Sequence, residues 1–506
     1  ATGGVTLGSL DIGHGLGGDV QSTAVGTDAL DASHSGSIHN TAIGHDALTA
    51  LNADAADYNT MVGSSAGAAI TSGHSNTGIG KNACDATDDG VRNTAAGFGS
   101  LGANCADDNV AVGYDALNDF TGSDATAVGS GAADVAGSQT NLTAVGKDAL
   151  GVATSGNSNT AFGANSLQTV DGTQNTAVGT DALNADCVSN NTAVGREALY
   201  AFTGSDATAV GSGAADSAVG NASITAVGRL ALSAATSGDY NTAIGAASLQ
   251  TVDGGNNTAV GYAALNADCV SDNTAVGKNA LIVFTGSNAT AVGKGAADAA
   301  VSQTYLTAVG RDALGVATSG NNNTAVGYAS LQTVDGANNT AVGSSALNAD
   351  CVSDNVAVGK DTLAVFTGSN ATAIGSGAAD AATSATSIVA VGYNALGSSD
   401  DGNYNTAVGK DALGANCADH NTAVGHEALE SFTGSNATAV GSGAADAAVS
   451  QTNLTAVGKG ALGAASSGNN NTAVGTVALG TTVDGTENSA LGVNALAADC
   501  VSNNSA

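Results

Sequence analysis

The stretch NTAVGKDAL, Asn405–Leu413, decides how the chain folds. Nearly the same letters stand at Asn175–Leu183 (NTAVGTDAL) and Asn273–Leu281 (NTAVGKNAL), and looser copies fill the chain. The glycine that closes each TAVG-like phrase serves as a ruler. It falls at Gly26, Gly44, Gly63, Gly80 and Gly97, then at Gly113, Gly129, Gly146, Gly163, Gly179 and Gly195, and continues to Gly492. There are 29 marks, in steps of 16 or 17 after Gly97 and of 17 to 19 before it. A second period rides on the first. Cys105, Cys187, Cys269 and Cys351 recur with an 82-residue period, as do Phe120, Phe202, Phe284 and Phe366, and one such period holds five ruler marks. The next block, from Cys351 to Cys417, is shorter by one sixteen-residue unit. The TVDG phrase of Thr169–Gly172, Thr251–Gly254 and Thr333–Gly336 is missing there and returns at Thr482–Gly485. Whole units are gained and lost without loss of phase, as a one-dimensional stack permits and a globular core does not.

Sixteen residues are too few for a repeating helical hairpin, which takes more than about thirty. They suit one coil of a parallel β-solenoid. The phrase NTAVG alternates and carries Thr and Val, which favour a pleated strand. Glycine then supplies a bend, "xxAL" reads as a second short strand, and stretches such as ATSGNSN (Ala153–Asn159) read as the long turn. The absence of proline fits a chain in which every coil needs its N–H groups. The expected fold is therefore all-β: a parallel β-solenoid, or β-roll, of about 29 coils of 16–17 residues. Residues 1–20 form a divergent start, and residues 21–506 one continuous solenoid with the 82-residue, five-coil superrepeat from about residue 105.

Composition narrows the interior. The 506 residues include 72 Gly and no Trp, and aromatics are 3%. Such a chain fills its core with Ala, Val and Leu, so the coil must be narrow. Alternation puts Thr and Val of TAVG on one face, with Asn, Ala and Gly on the other. Packing the small residues inside points Val outward, joined by Leu of "xxAL". The resulting apolar stripe predicts an oligomer around a shared axis. The alternative is Val inside and a monomer.

The phrases GSNATAVGSGAADAAVSQTNLTAVG (Gly434–Gly458) and NTAIG (Asn40–Gly44) resemble the head repeats of trimeric autotransporter adhesins. The likeness runs from about Gln21 to the end. It implies a left-handed β-roll, a homotrimer, and an adhesive role outside the cell. Similar NTAVGxxAL arrays occur in bacteriophage tail fibres. The unit here is slightly longer than the usual head repeat, and no heptad stalk is visible. Handedness rests on the resemblance alone, since the general crossover preference is right-handed.

Charge excludes some partners. With 44 acidic and 11 basic residues the formal net is −33, which repels nucleic acid and anionic lipid. No apolar run approaches the ~20 residues of a membrane-spanning helix, and no signal peptide is visible. Ten of the eleven basic residues directly follow a ruler glycine, among them Lys147, Arg196, Lys278, Arg311, Lys360 and Lys410. Tyr114, Tyr262, Tyr328, Tyr393, His45 and His426 use the same slot. This exposed ridge reads either as a solvated edge paired with neighbouring Asp and Glu or as a contact for host-surface glycan. The aspartates of GAAD (Asp134, Asp216, Asp298, Asp380, Asp446) recur at one coil position, where carboxylates could hold Ca²⁺. No other cofactor or metal is expected, and no catalytic motif appears.

The seven cysteines are too far apart along the stack for Cys105, Cys187, Cys269 and Cys351 to bridge one another: five coils span about 24 Å, and a disulfide needs Cα atoms within about 7 Å. Cys84 occupies the Leu slot of "xxAL", as a small apolar filler would. The chain ends in CVSNNSA (Cys500–Ala506), within a strand and short of the next glycine, so an open C-terminal end is expected. Such an edge suits either a piece of a longer fibre or head-to-tail stacking into a filament. The leading functional expectation is an extracellular structural and adhesive fibre, about 140 Å long at one strand spacing per coil. A phage tail-fibre shaft is the alternative. Ice binding is a third reading, weakened by there being one strand Thr per coil.

Overall fold

The computed structural model describes residues 5–7, 10–13, 21–32, 36–235, 237–398, 401–464, 467–481, 485–497 and 502–506. They form strands and turns, with no helix among them. The chain divides into two compact units, Ala1–Asn256 and Asn257–Ala506. The first opens with β1 (Val5–Leu7) and β2 (Leu10–Gly13), which pair antiparallel. β2 then pairs antiparallel with β3 (Thr23–Val25). Within the divergent start of the chain these two strands thus run antiparallel, beside the first coil strand. From β3 onward each strand is three residues long and pairs parallel with the next, as Thr143–Val145 does with Thr160–Phe162. The second unit repeats this from Thr258–Val260 to Ser489–Leu491. Each of these 29 short strands ends one residue before a ruler glycine, so there is one coil strand per glycine. The protein is a parallel β-solenoid.

Within each of these 29 strands the middle residue is buried and its neighbours are not. Ala144 is fully buried, whereas Thr143 and Val145 are half-exposed. Ala therefore faces the interior and Val faces out. The ruler glycine follows with φ of +135° at Gly195, a region that side chains avoid. A Cβ there would lie 2.6 Å from the carbonyl oxygen of Gly211 in the next coil. The glycine is required both by its backbone angle and by the backbone stacked against it.

The element "xxAL" is not a strand. In Lys147–Leu150, Asp148 and Leu150 both have φ of 53°, and the segment is a turn. The reason lies in burial. Ala149 and Leu150 are adjacent and both inside, whereas an extended strand sends neighbours to opposite faces. Two left-handed residues bend the chain so that both point inward. Their backbone groups still join the stack: Asp148 N–H donates to the Ser130 carbonyl (3.0 Å) and Leu150 N–H to the Ser166 carbonyl (3.0 Å). This corrects the outward placement of Leu. Leu150, Leu167, Leu183 and their counterparts are core residues, each worth about 1.5–3 kcal/mol of burial. That gain outweighs the roughly 1–2 kcal/mol of a left-handed non-glycine residue.

The asparagine that opens NTAVG is the interior polar group. Asn175 and Asn191 are fully buried. Asn191 N–H donates to Asn175 Oδ1 (2.9 Å), and Ala207 N–H donates to Asn191 Oδ1 (2.9 Å). Asn191 Nδ2 donates to the carbonyls of Val188 (3.1 Å) and Gly204 (3.2 Å). In the second unit, Asn323, Asn339 and Asn355 are linked in the same way at 2.8 and 3.0 Å. Each carboxamide thus satisfies backbone groups of its own coil and of the next.

The 82-residue period is a packing cycle. Phe120 and Phe202 in the first unit, and Phe284, Phe366 and Phe432 in the second, are fully buried. Each is followed by Ala in the asparagine slot: Ala125, Ala207, Ala289, Ala371 and Ala437. One coil on, the inward residue is Ala (Ala136, Ala218, Ala300, Ala382, Ala448), and the slot holds Leu or Ile (Leu142, Ile224, Leu306, Ile388, Leu454). Large is followed by small, then small by large, so a narrow interior stays filled. The glycine two residues after Phe is part of this fit: a Cβ on Gly122 would lie 2.7 Å from Phe120 Cζ and 1.8 Å from the Gln139 carbonyl oxygen.

Asn191→Ala strips the Ala207 N–H and two carbonyls of their partner and opens a void, so it is expected to lower local stability by about 2–4 kcal/mol. Amide hydrogen exchange around residues 188–207 measures this. Thr192→Ser, on the outer face of the next position, should leave the same amides unchanged.

Candidate functional site

Two regular surfaces result from this coil. The first is the outer face of the strands. Its first column is threonine in twenty-five of the 29 positions, with Val110, Val356, Val389 and Ser489 in the others. Its second column is Val or Ile except at Ala96, Phe162 and Leu491. Neither column carries a charged residue. The valines are partly open, with Val112 at 40% and Val178 at 37% exposure. The threonine hydroxyls distinguish this face. Among the described residues, no strand threonine hydroxyl bonds to another protein group. Turn threonines do: Thr285 Oγ1 donates to the Val301 carbonyl (2.9 Å) and Thr433 Oγ1 to the Val449 carbonyl (2.7 Å). The strand hydroxyls are therefore free for an external partner. The spacing Thr-x-Val was visible in the sequence; the freedom of the hydroxyls was not.

The second surface is the ridge after the ruler glycine. The structure places the expected side chains there and exposes them. Lys147 pairs with Asp148, and Arg196 with Glu197. Lys360 reaches Asp361 at 2.7 Å, and Lys410 reaches Asp411 at 2.6 Å. The hydrogen bond from Lys410 holds the Asp411 carboxyl below the usual range, and the one to Asp361 raises Lys360. Arg311 pairs with Asp312 at 3.4 Å and lies 4.4 Å above the Tyr328 ring, while Lys278 lies 5.7 Å above Tyr262. Lys81, Phe98 and Tyr114 form a three-coil stack, with the rings 5.4 Å apart. The ridge is a column of cations and aromatic rings: seven of its ten cations are matched by the carboxylate beside them or a ring one coil away, whereas Arg229, Lys294 and Lys459 stand next to Leu230, Gly295 and Gly460 and have no such partner among the described residues. Arg92, outside the ridge, grips Asp108 through two nitrogens at 2.6 and 2.7 Å.

Acidic groups are spread rather than gathered. Asp134, Asp216, Asp298 and Asp380 are each raised above the ordinary carboxylate range, mainly by burial. For Asp134 the nearby charges of Asp119, Asp115 and Asp148 add to this. Among the described residues one group, Asp28, His45 and Asp46, brings three potential metal-binding atoms within 4.8 Å of one another. It lies open to water, and His45 Nδ1 is 2.8 Å from Asp46. The six described cysteines are free thiols and buried. Cys84 sits in the Leu slot with φ of 56°, as a filler should. Burial pushes the thiols of Cys187, Cys269 and Cys351 up to about 12. Cys500 lies outside the described residues. Among the described residues no helix is long and apolar enough to cross a membrane.

Comparison with models of known protein families finds no match, and comparison with curated protein sequences finds none either. The likeness to autotransporter heads rests on the repeat phrases themselves.

Two outcomes follow from the titratable groups. The fold favours the protonated form of the four raised aspartates. Their contribution to stability is present below the ordinary carboxylate pKa and lost as pH rises through their raised values. Asp411 and Asp401 act oppositely, stabilising above the ordinary value and losing that effect as pH falls through their lowered ones. With a net charge of −33 repelling itself, the melting temperature should be higher near about pH 5 than near about pH 8. The second outcome concerns the thiols: native protein at neutral pH should resist iodoacetamide at Cys187, Cys269 and Cys351, and denatured protein should react fully, as read by mass spectrometry.

Proposed function

We propose that the chain is an extracellular structural and adhesive fibre with no catalytic role. The observation that carries this reading is the strand ladder, which repeats in register from coil to coil within each unit, with runs of buried asparagine bonded between coils wherever the slot is not Ala, Leu or Ile. Such a chain specifies stiffness and length more than any single pocket. In this reading the ridge is the adhesive surface. Its tyrosines and cations offer stacking faces and hydrogen-bond donors suited to glycans on a host surface.

Self-association into a homotrimer through the valine column belongs to the same reading, and magnitudes bear on it. Completing the burial of a valine already about 60% covered yields well under ~1.5 kcal/mol. Leaving the adjacent threonine hydroxyl dry and unpaired costs about 1–3 kcal/mol. A trimer therefore requires hydroxyls that pair across the axis or keep their water.

Electron microscopy of native material tests the fibre reading. Unbranched elongated particles or cell-surface filaments are the expected result. Fibres attached to virions would move the protein to the tail-fibre alternative, and compact globular particles would overturn both.

A further inference from the structure

We propose that the threonine–valine face binds ice. This goes beyond the fibre reading and does not depend on it, but it excludes the homotrimer of that reading, because the face meets ice only while no second copy covers it. Regularity is the first observation. In the first unit eight successive strands, from Thr126 to Thr242, carry threonine in the first column. In the second unit six successive strands do so, from Thr258 to Thr340. The pairings are parallel and in register, threonine on threonine and valine on valine, as in Thr192↔Thr208 with Val194↔Val210. Parallel pairing fixes the coil step at about 4.8 Å, and two residues along a strand separate the columns by about 6.7 Å. The face is a two-dimensional lattice that presents one hydroxyl and two β-branched side chains per coil.

Its chemistry matches ordered water. A hydroxyl engaged within the protein cannot join a water lattice, and these are unengaged among the described residues. Methyl groups of Thr and Val force neighbouring water to bond laterally, which favours cage-like order over the surface. Charged groups would orient water around themselves and break that order, and the face has none. The strong negative charge lies on turns and ridge. A flat, repetitive solid whose surface also repeats is the ligand that can use many equivalent weak contacts at once. A folded macromolecular partner has no such translational repeat, and a second copy must pair or strand the hydroxyls. One Thr per coil, too few for ice by sequence alone, gains a second β-branched column beside it in the folded coil. Phe162, 56% exposed, interrupts the second column, so the face is cleanest from Thr176 to Ile244 and from Thr258 to Val342.

The test uses the full chain at low temperature. Thermal hysteresis and faceted ice growth are expected from the wild-type protein, which should sediment as a monomer in the same buffer. Replacing Thr192, Thr208, Thr290 and Thr307 with Tyr raises a step on the lattice and should cut hysteresis at least several-fold. Thr→Val at the same four positions removes only hydroxyls. It is safe for folding, because Val110, Val356 and Val389 occupy that slot natively, and it should give a smaller reduction. Asn190→Tyr and Asn322→Tyr serve as controls off the face. Tyr240 and Tyr305 fill the equivalent slot with the same left-handed backbone, so hysteresis should not change. Absence of hysteresis and ice shaping in the folded wild type overturns the proposal. So does full activity in both threonine variants, or sedimentation as a stable trimer.

Discussion

The buried asparagine carboxamide is the constraint from which the rest of the coil follows. Each one must meet an N–H of the coil beyond it and two carbonyls, as Asn191 does with Ala207, Val188 and Gly204. A slip of one residue along the strand would break those bonds and leave an amide buried without partners, which is expensive in a water-free interior. The same slip would turn Thr and Val inward and Ala outward. The ladder therefore fixes which face is core and which is surface. It also explains how strands of only three residues hold a register that such short strands alone would specify weakly.

Narrowness is the second theme. The interior is not uniformly small, because Leu and Phe enter it. They enter only where the backbone makes room. Leu150 does so through a left-handed turn, and Phe120 does so beside Gly122 and ahead of Ala125. The ruler glycines answer the same pressure from the backbone side, since the next coil's carbonyl occupies the place of a Cβ. Tight packing, not loop preference, is why glycine is so abundant.

Most of the architecture was readable from the sequence because the repeat exposes it. One strand per ruler glycine, Cys84 as a filler and the Lys/Arg ridge follow from alternation and from which residue types share a slot; alternation set Ala opposite Val but left both Ala inside and Val inside open, and burial decides for Ala. The turn at "xxAL" was not readable from strand propensity. The clue was the adjacency of Ala149 and Leu150, which only burial data convert into a bend. The antiparallel pairing of Val5–Leu7 with Leu10–Gly13 has no signal in the repeat, because Ala1–Gly13 does not carry the phrase that sets the register. The free hydroxyls were invisible for a different reason: a threonine in a strand and one in a turn look alike until their neighbours are known.

The alternation of Phe with Ala and of Ala with Leu has a consequence for how such a gene can change. Coils are not interchangeable beads. A recombination event that removed the Phe coil alone would leave the next coil's Leu or Ile without the accommodation that precedes it, and would place two asparagine slots in the wrong company. Coils whose inward residue stands before an ordinary asparagine, such as Val170 before Asn175, depend on no special neighbour. The one coil missing between Cys351 and Cys417 is of this kind, and the Phe366, Ala371, Ala382 and Ile388 set around it is intact. Length is thus free to drift, but only through a subset of coils, so the packing cycle acts as a rule on which insertions and deletions survive.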